Sequence, residues 1–284
     1  MEAIFKLFFW YLVYPVFKLA LFLSPLILPG ILIRGVKARI DNLLLNDFGR
    51  IPYYFFAAMG TPVHEAGHLL AAKLTGHKIL RFSLFSPDKS GRLGYVEHAY
   101  NPDSVWQRAG CLFIGLAPVL AGTTLIVLLT RLFFPDLLLH RSLEGIVAQA
   151  QAVKNLKEMA PLSLAIGHSV VGQFLDFWQA VKASDWRVLV YLLLVIGIGS
   201  HMFPSTSDLK GMAPGAFLLY LAVCVWNAVA WHTSLNLHAK GYGAWAIGYG
   251  AGLLLFILMV LTLAGLFLWG LAGVKHMAVH RGRG

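Results

Sequence analysis

The residues best suited to chemistry lie together in one apolar stretch, which reads His64-Glu65-Ala66-Gly67-His68. Two histidines four positions apart lie one above the other on the same helix face, where both can bind one metal ion. Glu65, beside the first histidine, can reach a water molecule at that metal and act as a general base. This HExxH spacing is typical of zinc-dependent peptide hydrolysis.

The location of the motif strengthens this interpretation. Residues 51–75 form an apolar run, and ionisable side chains inside a lipid-embedded helix are costly unless they are paired or ligated. Many small residues around the motif would let neighbouring helices approach closely: Ala57, Ala58, Gly60, Ala66, Gly67, Ala71 and Ala72. The alternative is that the polar side chains only bridge helices.

A catalytic zinc site needs a third protein ligand and one open position. Asp208 is the best candidate, because it lies in a polar segment directly after an apolar run. Pro204 breaks the helix there, and irregular polar backbone at membrane depth is tolerated where it lines a cavity or is buried in protein. Alternatively, Asp208 caps the following helix. We expect His201 to support the site from outside the ligand set, with a ligand or an oxyanion donor as its alternative roles.

The composition indicates that these residues belong to a helical membrane protein. Of the 284 residues, 58% are hydrophobic and 13% charged, against about 25% charged in soluble domains, and the mean hydropathy is +0.70. These values exclude a soluble globular protein, a disordered chain and a disulfide scaffold. The net charge of +10 comes from basic residues between apolar runs, where they contact lipid headgroups. We therefore expect a lipid bilayer, and not nucleic acid, as the partner.

The apolar runs predict an all-α polytopic fold with about six transmembrane helices, at residues 5–33, 51–75, 105–134, 187–203, 212–235 and 246–274. The first run contains three prolines and either spans once or folds back at one of them. Two short β-type runs around a Pro, Asp and Gly turn predict a membrane-associated β-hairpin at 78–98. Residues 34–50 read as an interfacial helix, and residues 135–185 as a polar insertion with amphipathic helices at 143–159 and 162–182.

These elements divide the chain into three parts: an anchor with its interfacial segment (1–50), a core (51–211), and two additional transmembrane helices with a basic tail (212–284). We expect a multi-pass protein of the plasma or inner membrane. The basic tail favours a cytoplasmic C-terminus.

The HExxH helix, the hairpin and the later aspartate together resemble the site-2-protease-like family of intramembrane zinc metalloproteases (M50 peptidases). Roughly residues 50–210 take part, including the stretch of small residues and proline at 115–122. The aspartate segment departs from the family's N-x-x-P…D-G pattern. His201 replaces the asparagine, the spacing to Asp208 is one residue shorter, and Leu209 follows in place of glycine.

The resemblance implies that Glu65 is the catalytic base and that His64, His68 and Asp208 bind Zn²⁺. The implied reaction is hydrolysis of a peptide bond in a membrane protein substrate, within or near the bilayer. The free edge of the hairpin could then pair with an unwound substrate strand. Two other functions remain open: a non-proteolytic scaffold or pseudoprotease, and an ion or solute transporter. A di-iron hydroxylase is a weaker alternative, since its multiple histidine boxes are missing.

Overall fold

The computed structural model describes residues 8–135, 185–233 and 242–281, together with single positions between 164 and 179. Within these residues the chain is mostly helical, with one two-stranded sheet. The helices are α1 (Tyr14–Leu43), α2 (Arg50–Leu74), α3 (Val105–Phe133), α4 (Trp186–His201), α5 (Thr206–Gly211), α6 (Ala213–Thr233) and α7 (Tyr242–Arg281), and the strands are β1 (Lys78–Ser83) and β2 (Tyr95–Ala99). The amphipathic helix predicted at 143–159 and most of the one at 162–182 lie outside the described residues.

The first helix is longer than predicted, because the expected interfacial segment at 34–50 continues it. A π-helical turn, Phe9–Val13, precedes α1, and a second one, Leu44–Phe48, follows it. An ion pair between Lys37 and Asp41, one turn apart, supports the helix where the sequence turns polar. The continuous helix formed by α1 and its two π-helical turns ends at Gly49, whose φ of 91° is favourable only for glycine.

α2 lies between α3 and α4, and glycines on its two sides allow close approach. A Cβ atom placed on Gly60 would lie 2.1 Å from the carbonyl oxygen of Gly197 in α4. A Cβ atom on Gly67 would lie 2.9 Å from the carbonyl oxygen of Ala117 in α3. The backbones can touch only because both positions lack a side chain.

The two-stranded antiparallel sheet confirms the predicted hairpin. Lys78 pairs with Ala99 at one end and Ser83 with Tyr95 at the other, with a bulge between Ile79 and Arg81. The connecting segment is stabilised by Asp88, whose Oδ1 accepts hydrogen bonds from the backbone N–H of Ser90 (2.8 Å) and from its hydroxyl (2.6 Å). These are the turn contacts that an Asp-x-Ser-Gly sequence favours.

Among the described residues, two helices are long and apolar enough to cross a membrane: α3, and residues Gly250–Ala278 of α7. This is fewer than the six predicted spans. α4 and Ala213–Val229 of α6 are apolar but shorter, and α2 carries the polar HExxH residues, which lower its hydropathy. The sequence-based prediction counted every apolar run as a span. Short helices and helices with polar residues were therefore included, although they do not combine sufficient length with sufficient mean hydropathy.

The main core lies where α7 packs against α1 and α4. Phe256, Ile257 and Leu261 of α7 are fully buried there. A polar contact connects α3 to α4 within this core, since the hydroxyls of Thr130 and Tyr191 lie 2.8 Å apart. The core therefore holds α4 in place, and α4 in turn carries His201 at its end.

Candidate metal centre

The three predicted ligands meet at one point of the fold. His64 and His68 lie one turn apart on α2, and Asp208 comes from the first turn of α5. One ligand atom from each residue lies within 4.8 Å of the others. The His64 Nε2 atom is 3.5 Å from Asp208 Oδ2, and the His68 Nε2 atom is 3.4 Å from Asp208 Oδ1. These distances suit a group that surrounds one metal ion.

Main-chain carbonyls determine which imidazole nitrogens carry hydrogen. His64 Nδ1 lies 2.7 Å from the carbonyl oxygen of His201, and His68 Nδ1 lies 2.8 Å from that of Ile114. A carbonyl oxygen only accepts hydrogen bonds, so each Nδ1 is the donor and each neutral ring has a bare Nε2. This arrangement orients histidines that bind metals in proteins.

The two Nε2 atoms lie only 3.1 Å apart. Neither can donate to the other when both rings are neutral, and the carboxylate of Asp208 adds further lone pairs to the same space. A cation or a shared proton between these three electron-rich groups would offset their mutual repulsion. The donor set of two imidazoles and one carboxylate fits Zn²⁺.

Asp208 has a second structural role. The N-cap of α5 is Ser205, so the alternative prediction that Asp208 is itself the cap of the following helix is wrong. Asp208 instead completes a capping box, in which its Oδ2 accepts from the Ser205 N–H at 2.6 Å. The carboxylate that completes the capping box also lies beside His64 and His68. The helix cap therefore orients the candidate ligand.

His201 contributes through its backbone rather than through its ring. Its carbonyl oxygen orients His64, whereas its ring Nδ1 lies 3.0 Å from the carbonyl oxygen of Gly197 and 2.9 Å from the hydroxyl of Ser200. Its Nε2 is buried without a hydrogen-bond partner in the described part of the chain. The ring is not part of the three-residue group.

Glu65 lies where α2 meets the hairpin and is 8% exposed. Gly94, just before β2, covers it closely: a Cβ atom placed there would lie 2.8 Å from the Glu65 Cγ atom. A residue larger than glycine would push the hairpin away from α2. Gly94 is thus a part of the site that the sequence analysis missed, since one glycine in a turn-rich segment carries no distinguishing signal.

The candidate metal group, formed by His64, His68 and Asp208, borders one cavity and reaches a second cavity through His64. The first, of about 430 Å³, is bordered by the three candidate ligands, Glu65 and the strand residues Tyr95–His98. The second, of about 400 Å³, shares His64 and Glu65 with the first and extends to α1. His64 and Glu65 therefore border both cavities.

Glu97 and His98, at the end of the predicted hairpin, both border the first cavity. The carboxylate of Glu97 is held by the Arg81 guanidinium across the sheet, at 2.7 and 2.9 Å. His98 is uncharged at neutral pH, because burial and the adjacent His77 lower its pKa. The cavity wall thus combines a paired carboxylate with a neutral imidazole.

Comparison of the chain with protein-family models, with curated proteins and with solved structures found no match.

Proposed function

We propose that the chain is a zinc-dependent membrane metalloprotease of the site-2-protease-like kind, which hydrolyses a peptide bond of a membrane protein within or near the bilayer. The observation that carries this proposal is the pair of bare Nε2 atoms 3.1 Å apart beside the Asp208 carboxylate. Two imidazoles and a carboxylate leave a fourth position open on a tetrahedral zinc ion, as catalysis requires.

His64, His68 and Asp208 would hold the zinc, which supplies a Lewis acid to polarise the scissile carbonyl and to lower the pKa of water. Glu65 accepts the proton of the water molecule as its oxygen bonds to the carbonyl carbon. Glu65 then delivers this proton to the amine nitrogen as the C–N bond breaks. The carbonyl oxygens of His201 and Ile114 keep both imidazoles in the required tautomer throughout.

Burial of the polar face of α2 supports its insertion in the membrane despite its modest hydropathy. Thr61, Glu65 and His68 are 5%, 8% and 6% exposed, because that face of the helix lies against other elements of the fold. Polar groups enclosed by other helices avoid the cost of facing lipid. We therefore propose α1, α2, α4 and α6 as membrane-inserted helices beside α3 and α7, in keeping with the six spans predicted.

The substrate must reach the site as an extended strand, since a helix keeps its carbonyls in hydrogen bonds. β2 pairs with β1 on one edge, and residues of β2 border the cavity of the metal group. A substrate strand added to the other edge of β2 would gain main-chain hydrogen bonds next to Glu65. This proposal gives the hairpin a role in unwinding the substrate.

The test is to measure zinc content and cleavage together, using the full chain in liposomes. The substrates are designed single-pass peptides whose leucine–alanine span carries a Gly-Ser break at graded depths, and new termini are identified by mass spectrometry. We expect one zinc per wild-type chain, zinc without cleavage in Glu65→Gln, and neither in His64→Ala. A His276→Ala variant is the control, because His276 pairs with Asp47 away from the site.

Two results would overturn the proposal. Wild-type protein without zinc would favour the scaffold function. Zinc binding with no cleavage at any depth, or with equal cleavage by Glu65→Gln, would show that the metal group does not hydrolyse peptides.

A further inference from the structure

His77 and His98 form a second histidine pair, of which His98 borders the first cavity. Their Nδ1 atoms are 3.0 Å apart, so one of them must donate to the other. The Nε2 of His77 lies 2.8 Å from the carbonyl oxygen of Gln107 and therefore carries a hydrogen. A neutral His77 then has a bare Nδ1, and the hydrogen between the two rings belongs to His98.

This contact leaves His98 with one unused nitrogen. Because its Nδ1–H donates to His77, its Nε2 has only a lone pair, and no residue in the described part of the chain bonds to it. A free neutral histidine prefers the opposite tautomer, with hydrogen on Nε2. With both rings neutral, the fold therefore imposes on His98 a form that can only accept a hydrogen bond at Nε2.

His77 is itself rigidly held. It is 5% exposed and stacks on the ring of Tyr100, with centroids 5.3 Å apart and planes at 24°. The side chain of Gln107 connects the surrounding elements: it donates to the carbonyl oxygen of Gly76 at 3.0 Å and accepts from the Asn101 N–H at 2.6 Å. The end of α2, the exit of β2 and the start of α3 are thus joined around His77.

His98 borders the same cavity as Glu65 and the three candidate ligands. The neighbouring carboxylate of Glu97 is paired with Arg81, so a substrate donor there would compete with the guanidinium. An uncharged acceptor beside the reacting bond is suited to a hydroxyl or amide N–H donor and gains nothing from an apolar group.

We propose that His98 is a specificity-determining residue whose Nε2 accepts a hydrogen bond from a donor side chain of the substrate next to the scissile bond, and that His77 is the positioning residue that imposes the required tautomer. This inference rests on the proposed peptidase function. It names the substrate class more closely: peptides with Thr, Ser, Asn or Gln at one position beside the cleaved bond. The main-chain N–H groups of the substrate would pair with the edge of β2. The His98 imidazole is then available to a side chain of the substrate.

The experiment measures binding rather than turnover, so that it does not depend on hydrolysis. Zinc-loaded Glu65→Gln protein in liposomes is titrated with designed single-pass peptides that differ only by Thr or Val at successive positions around the Gly-Ser break. We expect the Thr peptide to bind about 2- to 10-fold more tightly at one position, the effect of one additional hydrogen bond. Thr and Val have nearly the same shape, so the difference reports the hydroxyl.

Variants added to the Glu65→Gln protein then assign this preference. His98→Phe should remove the Thr preference while zinc content stays at one per chain, and His98→Gln, whose amide oxygen can accept, should retain part of it. His77→Phe should reduce the preference and shift the ¹⁵N imidazole signals of His98 towards the Nε2–H tautomer. His276→Phe is the matched control and should leave both readouts unchanged.

The inference is overturned if Thr and Val peptides bind equally at every position, if His98→Phe keeps the preference, or if ¹⁵N spectra of the parent protein show hydrogen on Nε2 of His98. These results leave the peptidase proposal intact, because zinc content and cleavage by the wild type are measured separately. Conversely, a Thr preference that depends on His98 in a protein whose wild type cleaves nothing would support the binding site and overturn the hydrolytic function.

Discussion

Ser205 and Asp208 exchange two hydrogen bonds at the start of α5. The Ser205 N–H donates to Asp208 Oδ2 at 2.6 Å, and the Asp208 N–H donates to Ser205 Oγ at 3.2 Å. The same carboxylate faces His64 and His68. The helix cap therefore determines the direction of a candidate metal ligand, and a change in the cap should be detected at the metal.

Replacing Ser205 with alanine removes the side-chain half of this capping box. We expect a loss of about 1 kcal/mol of stability, as for other serine caps, and zinc binding weaker by roughly 10- to 100-fold, since Asp208 loses its orientation. Competition with a zinc chelator measures the affinity. Ser104→Ala is the matched control, because Ser104 caps α3 in the same way away from the metal ligands. Equal zinc affinities in the two variants would contradict the link between cap and ligand.

Asp208→Asn separates the charge of Asp208 from its capping role. The asparagine oxygen can still accept from the Ser205 N–H, so the thermal stability of the metal-free protein should change little. Zinc affinity should fall clearly, because a neutral amide is a poorer zinc ligand than a carboxylate. Calorimetry of zinc binding measures the change. If Asp208→Asn binds zinc as tightly as the wild type, Asp208 acts only as a capping residue.

Gly60→Ala tests whether the contact between α2 and α4 positions the carbonyl that orients His64. The new methyl group would lie 2.1 Å from the Gly197 carbonyl oxygen and 2.6 Å from the His201 Cβ atom, so α4 must move. We expect a loss of about 1–3 kcal/mol in stability and weaker zinc binding, as the His201 carbonyl shifts away from His64.

Gly35→Ala in α1 is the control for this substitution, since nothing lies within 4 Å of a Cβ atom there. It should stabilise the helix by about 0.5–1 kcal/mol and leave zinc affinity unchanged. Thermal unfolding with and without zinc compares the two variants. A Gly60→Ala protein with wild-type unfolding and zinc affinity would show that the close packing is not required at the site.

Single prolines along the hairpin test the pairing of a substrate strand. A proline at a position of β2 whose N–H points away from β1 removes a donor from the free edge. Cleavage of the designed single-pass peptides should then fall by up to about tenfold for one lost hydrogen bond, with zinc content unchanged. The controls are prolines at positions of β1 whose N–H points away from β2, because these positions lie on the opposite edge of the sheet. Unchanged cleavage in every β2 variant would exclude edge pairing.

Local features of this protein could be predicted because they depend on neighbouring residues. The four-residue spacing of His64 and His68 places both on one helix face wherever the helix packs. The turn residues around Asp88 and Gly91 define the hairpin, and the structure confirms it. The end of the first helix was predicted wrongly, since the polar stretch after Arg34 does not interrupt helical hydrogen bonding and only Gly49 does.

The orientation of the candidate site depends on contacts between distant segments. The sequence by itself determined which side chains could bind a metal, because residue type and helical period are local properties. Only the tertiary structure decided that the carbonyls of Ile114 and His201 hold the imidazoles, since any residue has a carbonyl and none carries a side-chain signal for this role. The contact of His77 with His98 was likewise decided by the fold, because strand pairing and helix packing bring together residues that are 21 positions apart.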